Sequence, residues 1–256
     1  MVRTPKNRRE ILARTTGTET GSPVSGRKVK LQVFEILEDA SWETRLPELL
    51  ELPSAKVVGP LFSSLYNADP LVKWHGVTAF GLIVPAMADQ RMESGRIVLR
   101  RCMWSLSDES GGIGWGIPET MGEILTNHKT LAEEFHSILL SYIKESEDSP
   151  DNYLEYAPLR RGAVWAAGRL AETKPDLAVK AAADLRSCLS DPDASIRGTA
   201  CWALGFLQGH FSPNDLEPLL FDDANLDLYK KRKLASVTVA GLAREALEGT
   251  SGGTRI

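Results

Sequence analysis

The most informative stretch of this sequence is Arg197-Gly-Thr-Ala-Cys-Trp-Ala-Leu-Gly-Phe-Leu207, an apolar helical pattern interrupted by a glycine. The same interruption occurs in five helical patterns along the chain, at Gly81, Gly122, Gly168, Gly205 and Gly241. The intervals between these glycines are 41, 46, 37 and 36 residues, the length of a helix–turn–helix unit in an α-solenoid. A glycine inside a helix costs roughly 0.5–1 kcal/mol relative to alanine. Its repetition therefore predicts that stacked helices approach each other closely at these points.

The pattern around these glycines predicts five helix pairs between residues 55 and 247, preceded by an amphipathic helix at 28–39. The second helices of the pairs are expected at 71–88, 117–127, 155–172, 194–208 and 229–247. Asp69-Pro70 and Asp191-Pro192 fall in matching turns, where aspartate can cap the following helix. No segment alternates as a strand would, so the sequence predicts an all-α fold, an α-solenoid of about five helix–turn–helix repeats.

A single solenoid domain is expected at residues 28–248. It is flanked by a basic tail at 1–27 and a C-terminus at 249–256, both predicted to be disordered because their polar, glycine-containing sequences cannot build a core. Residues 1–30 carry a net charge of +6, whereas residues 31–256 carry −10. A basic arm on an acidic body can contact nucleic acid or anionic lipid, but a solvated tail is the favoured interpretation.

The composition is that of an ordinary globular chain, with 43% hydrophobic and 25% charged residues among 256. No apolar run approaches the roughly 18 residues that span a bilayer, and no apolar segment follows the basic N-terminus. Three separated cysteines predict neither a disulfide framework nor a zinc site. We therefore expect a cytoplasmic protein without a membrane partner, a metal or a cofactor.

The predicted second helices also carry a family resemblance. Arg161-Gly-Ala-Val-Trp-Ala-Ala-Gly-Arg-Leu170 and the 197–207 stretch resemble the phycobilin-lyase type of HEAT-like repeat, in which an arginine precedes small residues and Trp-Ala-x-Gly. The arginines differ in spacing, since Arg161 lies four residues before Trp165 and Arg197 lies five before Trp202. The whole chain, and especially the segment 111–123, is also similar to uncharacterised HEAT-repeat proteins of anaerobic, sulfate-reducing bacteria. The resemblance implies a protein-binding scaffold, although a minority of HEAT-like proteins bind tetrapyrroles, hydroxylate deoxyhypusine on iron or excise alkylated DNA bases.

The second helices of such a solenoid are expected to line a concave surface. Tryptophan and arginine are frequent in binding hot spots, so large and charged residues on these helices are candidates for recognition. The candidate binding groove comprises Trp74, His75, Trp115, Glu119, Glu123, Arg160, Arg161, Trp165, Arg197 and Trp202. Trp165 and Trp202 each lie three residues before a packing glycine, so for these two the core between repeats is the favoured location and the groove is the alternative.

A glycine-rich loop at 111–116 precedes the second helix of the second pair. It lacks the lysine and Ser/Thr of a phosphate-binding P-loop, so phosphate binding is not expected. Instead the loop is predicted to present Trp115 beside Glu119 and Glu123, which share one helix face. These carboxylates are expected to pair with Arg160 or Arg161 of the next repeat.

The sequence predicts a non-catalytic scaffold for a protein or peptide partner, with no catalytic residues assigned. The four histidines form no metal-ligand pair in sequence, and no serine or cysteine has a nucleophile motif. The alternative is an alkylpurine-glycosylase-type DNA-repair protein, in which the arginines and Lys230-Lys-Arg-Lys233 would contact phosphates. The acidic body disfavours nucleic acid. A tetrapyrrole-binding or lyase-like protein is the third possibility.

Overall fold

A computed structural model describes residues 25–107, 113–144 and 152–251. Two strands, β1 (Asn225–Lys230) and β2 (Lys233–Thr238), lie near the C-terminal end of an otherwise helical chain. The α-helices are α1 (Gly26–Glu38), α2 (Trp42–Arg45), α3 (Ser54–Ser64), α4 (Pro70–Gln90), α5 (Met92–Ser107), α6 (Ile117–Asn127), α7 (Lys129–Ser141), α8 (Ala157–Thr173), α9 (Pro175–Ala178), α10 (Ala182–Ser187), α11 (Ala194–Leu204), α12 (Pro213–Leu216) and α13 (Val239–Ser251). Short 3-10 segments are Leu46–Glu51, Val179–Ala181, Cys188–Ser190 and Glu217–Phe221. Most of the predicted basic tail, part of the glycine-rich loop and residues 252–256 lie outside the described ranges.

The second helices form one layer of an α-solenoid. Helices α4, α6, α8, α11 and α13 lie side by side in chain order, each packing on the next. The first helices α3, α5 and α7 pack beside their partners α4, α6 and α8, and the α9–α10 segment does the same for α8 and α11. The predicted α-solenoid of helix–turn–helix repeats is therefore confirmed.

Glycines set the distance between neighbouring second helices. A Cβ atom added to Gly122 of α6 would lie 2.6 Å from the Cβ and 2.7 Å from the Cα of Ala166 in α8, so only glycine fits. Gly81, Gly168 and Gly205 likewise face the next second helix. The expectation is wrong for Gly241, whose nearest neighbour is Thr238, the residue just before its own helix. Helix α13 is the last of the described stack, so it has no following helix to approach.

The predicted helix over 229–247 is wrong in its first half. Strands β1 and β2 form an antiparallel hairpin, with Lys230 paired to Lys233 and Leu226 paired to Val237. The two-residue turn places Lys231 at φ 50° and Arg232 at φ 63°, the left-handed conformation of a tight hairpin turn. Helix α13 begins only after Thr238, whose hydroxyl accepts a hydrogen bond from the Gly241 amide at 3.0 Å. Side chains buried on both faces of β1 stabilise the strand over the helix.

The turns before the second helices follow the predicted chemistry in part. The Asp69 carboxylate accepts from the Leu71 amide at 2.8 Å and caps α4, as expected. At α11 the cap is Asp193, which accepts from the Ser195 amide at 2.9 Å. The expectation that Asp191 is this cap is wrong, because Asp191 lies two residues earlier and its carboxylate pairs with Arg160.

Among the described residues, helix α4 is long and apolar enough to cross a membrane by length and composition. It packs against α3, α5 and α6, and 72% of its most apolar window is buried. This burial is typical of the central helix of a protein core.

Candidate functional site

An aromatic row crosses the layer of second helices. It consists of Trp74 on α4, Trp165 on α8 and Trp202 on α11, so the structure brings together three of the four predicted tryptophans. The ring centroids of Trp74 and Trp165 are 4.8 Å apart, and those of Trp165 and Trp202 are 6.4 Å apart. Because α6 lies between α4 and α8 in the layer, the first contact requires this side of the solenoid to curve inward. We call this side the inner face.

Strand β1 lies directly on the aromatic row. The indole N–H of Trp165 donates to the backbone carbonyl of Tyr229 at 2.8 Å. The Tyr229 ring stacks on Trp74, with centroids 4.6 Å apart and planes 8° from parallel. Trp165 and Trp202 are consequently only 4% and 7% exposed, whereas Trp74 is half-buried. The chain's own hairpin therefore covers the centre of the predicted groove.

The hydroxyl of Tyr229 completes this contact. It lies 2.9 Å from the Thr78 hydroxyl, which itself donates to the Trp74 carbonyl, so Tyr229 is the donor between the two. Burial raises the pKa of Tyr229 to about 12, although the hydrogen bond with Thr78 acts in the opposite direction. The phenol therefore stays protonated at neutral pH and acts as a structural anchor.

Two hollows remain open beside the hairpin. The first, about 200 Å³, lies between α4, α6, α8 and the hairpin turn, and the second, about 240 Å³, lies between α8, α11 and α13. Both are lined by Glu172, Lys230 and Lys231. The first adds Glu123, Asn127, Trp165, Arg169 and Arg232, and the second adds Trp202, Phe206 and Glu245. The inner face thus has two accessible hollows, each lined by acidic, basic and aromatic side chains.

Glu119 and Glu123 are buried, and each is ion-paired. Glu119 pairs with Lys73 of α4 at 3.0 Å, and Glu123 pairs with Arg169 of α8 at 2.9 Å. The predicted pairing with Arg160 or Arg161 is wrong. Those arginines lie at the start of α8 and reach forward to the next repeat, whereas Arg169 lies two turns later, level with Glu123.

The Arg169 guanidinium is held between two carboxylates. Burial alone would lower its pKa, but the attraction of Glu123 and Glu172 outweighs burial and raises it. Arg169 also donates to Glu172 within α8. Arg169 therefore lines the first hollow as an ion-paired side chain.

The predicted arginines Arg160 and Arg197 tie successive repeats together. Arg160 is 8% exposed and donates to the carbonyls of Leu154 and Glu155, six and five residues before it. Arg197 donates in the same way to the carbonyls five and six residues before it, those of Pro192 and Asp191. Each then pairs with a carboxylate of the following unit, Asp191 at 3.1 Å or Asp222 at 2.7 Å.

Arg160, rather than Arg161, is thus the repeat equivalent of Arg197. Its distance of five residues from Trp165 matches the distance from Arg197 to Trp202. Arg161 instead lies on the exposed side of α8 and pairs with the helix cap Asp193 at 2.6 Å. The unequal spacing noted in the sequence was the signal for this register.

His75 and Trp115 lie apart from the aromatic row. The His75 ring stacks on Trp42 with centroids 3.9 Å apart, and its Nδ1 lies 2.7 Å from the Leu37 carbonyl. Burial lowers the pKa of His75, which keeps the ring neutral in this packed position. Trp115 is half-buried and meets the exposed Tyr156 edge-on at 5.9 Å. Neither residue joins the hollows of the inner face.

The buried cysteines are unsuited to thiolate chemistry. Burial raises the pKa values of Cys102, Cys188 and Cys201 to about 12. Within the described ranges, no group of three or more histidine, cysteine, aspartate or glutamate side chains is placed to hold a metal ion.

Comparison with known proteins agrees with this architecture. Residues 157–207, which span α8 to the end of α11, match the family model of the HEAT-like repeat. No curated protein matches the sequence.

Solved structures of repeat proteins are similar over nearly the whole chain. An engineered protein from a structural genomics consortium has a TM-score of 0.53 at 14% identity, covering 95% of this chain and 98% of its own. A designed armadillo repeat protein in complex with the peptide (KR)4 has a TM-score of 0.50 at 16% identity, covering 94% and 98%. At these identities the likeness establishes the solenoid fold.

Proposed function

We propose that this chain is a non-catalytic scaffold that binds a protein or peptide segment on its inner face, beside the hairpin. The observation that carries the proposal is that the inner face already holds one extended strand. An indole N–H binds the strand's backbone carbonyl, and an aromatic ring receives one of its side chains. These are contacts by which a groove recognises an extended peptide.

The two hollows supply the accessible part of this surface. Phe206 is 36% exposed at the rim of the second hollow, and the exposed Asn127 lies at the rim of the first. Aromatic and amide groups beside fixed ion pairs suit a partner with both apolar and polar side chains. The similar designed armadillo repeat protein in complex with peptide (KR)4 is consistent with a peptide segment as partner.

The carboxylates and arginines that the DNA-repair alternative needs are already ion-paired. Its carboxylates would be Glu119 and Glu123, which are neutralised by Lys73 and Arg169. Its phosphate-binding arginines would include Arg160 and Arg197, which are committed to Asp191 and Asp222. We therefore propose protein or peptide recognition alone.

Site-specific photocrosslinking tests the location of the partner. A photoreactive phenylalanine analogue at Phe206 or at Asn127 is expected to capture the same partner protein from cells of the source organism. The reason is that both positions border the hollows in which the partner would lie. Captured proteins are identified by mass spectrometry of the crosslinked product.

The control positions are Ile97 and Trp104, which form an exposed apolar pair on the outer helix α5, at 56% and 75% exposure. The analogue at these positions should not capture that partner. Capture from α5 alone, or equal capture from all four positions, would contradict the proposed inner-face site.

A further inference from the structure

The hairpin has two outer edges, and only one is fastened to the solenoid. In a hairpin with a two-residue turn, the residues flanking the turn share both hydrogen bonds, and the pairs alternate from there. Tyr229 and Leu234 are therefore a pair whose N–H and C=O groups point outward, as are Asp227 and Ser236. The bond from Trp165 to the outward carbonyl of Tyr229 agrees with this alternation.

Strand β1 is held against the helices along its length. Tyr229 is fixed by the aromatic row, and Leu226 packs against the Gly198 backbone of α11, where an added Cβ would lie 2.7 Å from its Cδ2. Leu226, Leu228 and Tyr229 are all buried. Strand β1 is thus fixed to the helices by its buried side chains and by the bond to the Tyr229 carbonyl.

The outer edge of β2 is open. Its outward backbone groups belong to Leu234 and Ser236, and no hydrogen-bond partner for them occurs in the described part of the chain. Natural edge strands are usually protected by central charges, prolines, bulges or a covering segment. The central residues of β2 are Leu234, Ala235, Ser236 and Val237, which are uncharged, paired in continuous register and half-buried or exposed. Within the described residues, this edge therefore has none of these protections.

Positive charge is concentrated at one end of this edge. Residues 225–238 carry four cations and one aspartate, a net charge of +3 on an otherwise acidic body. Arg232 lies 3.7 Å from Glu43 and Lys230 lies 2.8 Å from Glu245. The exposed Lys231 and Lys233 have no carboxylate partner among the described residues.

The turn itself points to a role for these cations. Lys231 and Arg232 both adopt positive φ, where asparagine and glycine are the preferred residues. Backbone strain of this kind persists where surrounding structure and function require the side chains. If stability alone determined these two positions, they would be expected to be Asn-Gly.

We propose that β2 is the docking edge for an extended acidic segment of the partner, which adds to the hairpin as a third strand. This inference rests on the proposed function and names its partner chemistry. Backbone hydrogen bonds to Leu234 and Ser236 provide the register, and Lys231 and Lys233 select carboxylate side chains near the turn.

The test uses the full chain and a fluorescein-labelled synthetic peptide of alternating Glu and Thr or Val residues, followed by fluorescence anisotropy. Wild-type protein should bind this acidic probe, and a probe with Lys in place of Glu should bind at least about tenfold more weakly. Ser236→Pro, which removes one outward N–H, should abolish binding, whereas Ser236→Ala should leave it unchanged.

A second variant separates binding from folding. Lys231→Asn combined with Arg232→Gly provides the preferred turn residues, so it should raise the melting temperature of the protein. The same variant should weaken binding of the acidic probe about fivefold or more, because two cations are lost. Equal binding of acidic and basic probes, wild-type binding by Ser236→Pro, or no binding by wild type would overturn the proposal. Concentration-dependent dimers that Ser236→Pro abolishes would overturn it too, because a second copy would then be the occupant.

The outcomes of the two experiments are distinguishable. If photocrosslinking at Phe206 captures a partner while the acidic probe fails to bind wild type, the inner-face function stands and the β2 assignment falls. If neither the crosslink nor the probe gives binding, both proposals fail.

Discussion

Replacing Tyr229 by alanine is expected to lower the free energy of unfolding by about 3–5 kcal/mol, the usual cost of deleting a buried aromatic ring. The side chain is 4% exposed and stacks on Trp74, and its hydroxyl donates to Thr78. Tyr229→Phe retains the ring and should cost only about 1 kcal/mol for the lost hydrogen bond. Denaturant-induced unfolding, followed by far-ultraviolet circular dichroism, measures both changes.

Phe221→Ala is the matched control for Tyr229→Ala, because it also deletes an aromatic ring close to the hairpin in sequence. Phe221 is 88% exposed, so its removal should change the stability by no more than about 0.5 kcal/mol. Equal effects of Tyr229→Ala and Phe221→Ala would show that β1 does not lie on the aromatic row.

A methyl group at Gly122 is expected to destabilise the chain although alanine favours helices. The added Cβ would meet the Cα of Ala166 at 2.7 Å, and this backbone atom can move only if α6 and α8 separate. Gly122→Ala should therefore lower the free energy of unfolding by about 1–3 kcal/mol, the usual cost of overpacking.

The same substitution at Gly26 is the control, since a Cβ there would have no neighbour within 4 Å. Gly26→Ala at the start of α1 should be neutral or stabilise by up to about 1 kcal/mol. Thermal or chemical unfolding of the two variants isolates the packing effect from helix propensity. A stabilising Gly122→Ala would contradict glycine-mediated stacking of the second helices.

The solenoid was predictable because its cause is local and repeated. Four of the five glycines mark a point where one second helix meets the next. Gly241 differs because a mid-helix glycine pattern looks the same whether or not a further helix stacks on it. The inner tryptophans followed from the same register, which placed Trp165 and Trp202 one turn before their glycines.

The hairpin could not be recognised from its turn. Lys231 and Arg232 occupy positions where Asn-Gly would signal a type I′ hairpin, and the run of cations instead resembles the start of a helix. The weak signal was the alternation of Leu226, Asp227 and Leu228, which is exposed only at Asp227. Sequence reasoning therefore missed Tyr229, and with it the cover over the aromatic row.

The ion pairs were mispredicted because they depend on relative helix position. Glu123 was expected to meet an arginine at the start of α8, but side chains pair at equal heights along neighbouring helices. Arg169 lies level with Glu123 on the neighbouring helix and pairs with it. The register of Arg160 and Arg197, by contrast, was available from their common spacing to the following tryptophan.

Hydrogen exchange at the indole N–H of Trp165, measured by ¹⁵N-resolved NMR, tests most directly whether β1 lies on the inner face. If β1 lies on the inner face, the bond to the Tyr229 carbonyl should slow this exchange to the range of the core amides. Trp104, 75% exposed on α5, supplies the fast reference within the same molecule. Exchange at Trp165 as fast as at Trp104 would contradict the docked hairpin, and with it the recognition surface built on that hairpin.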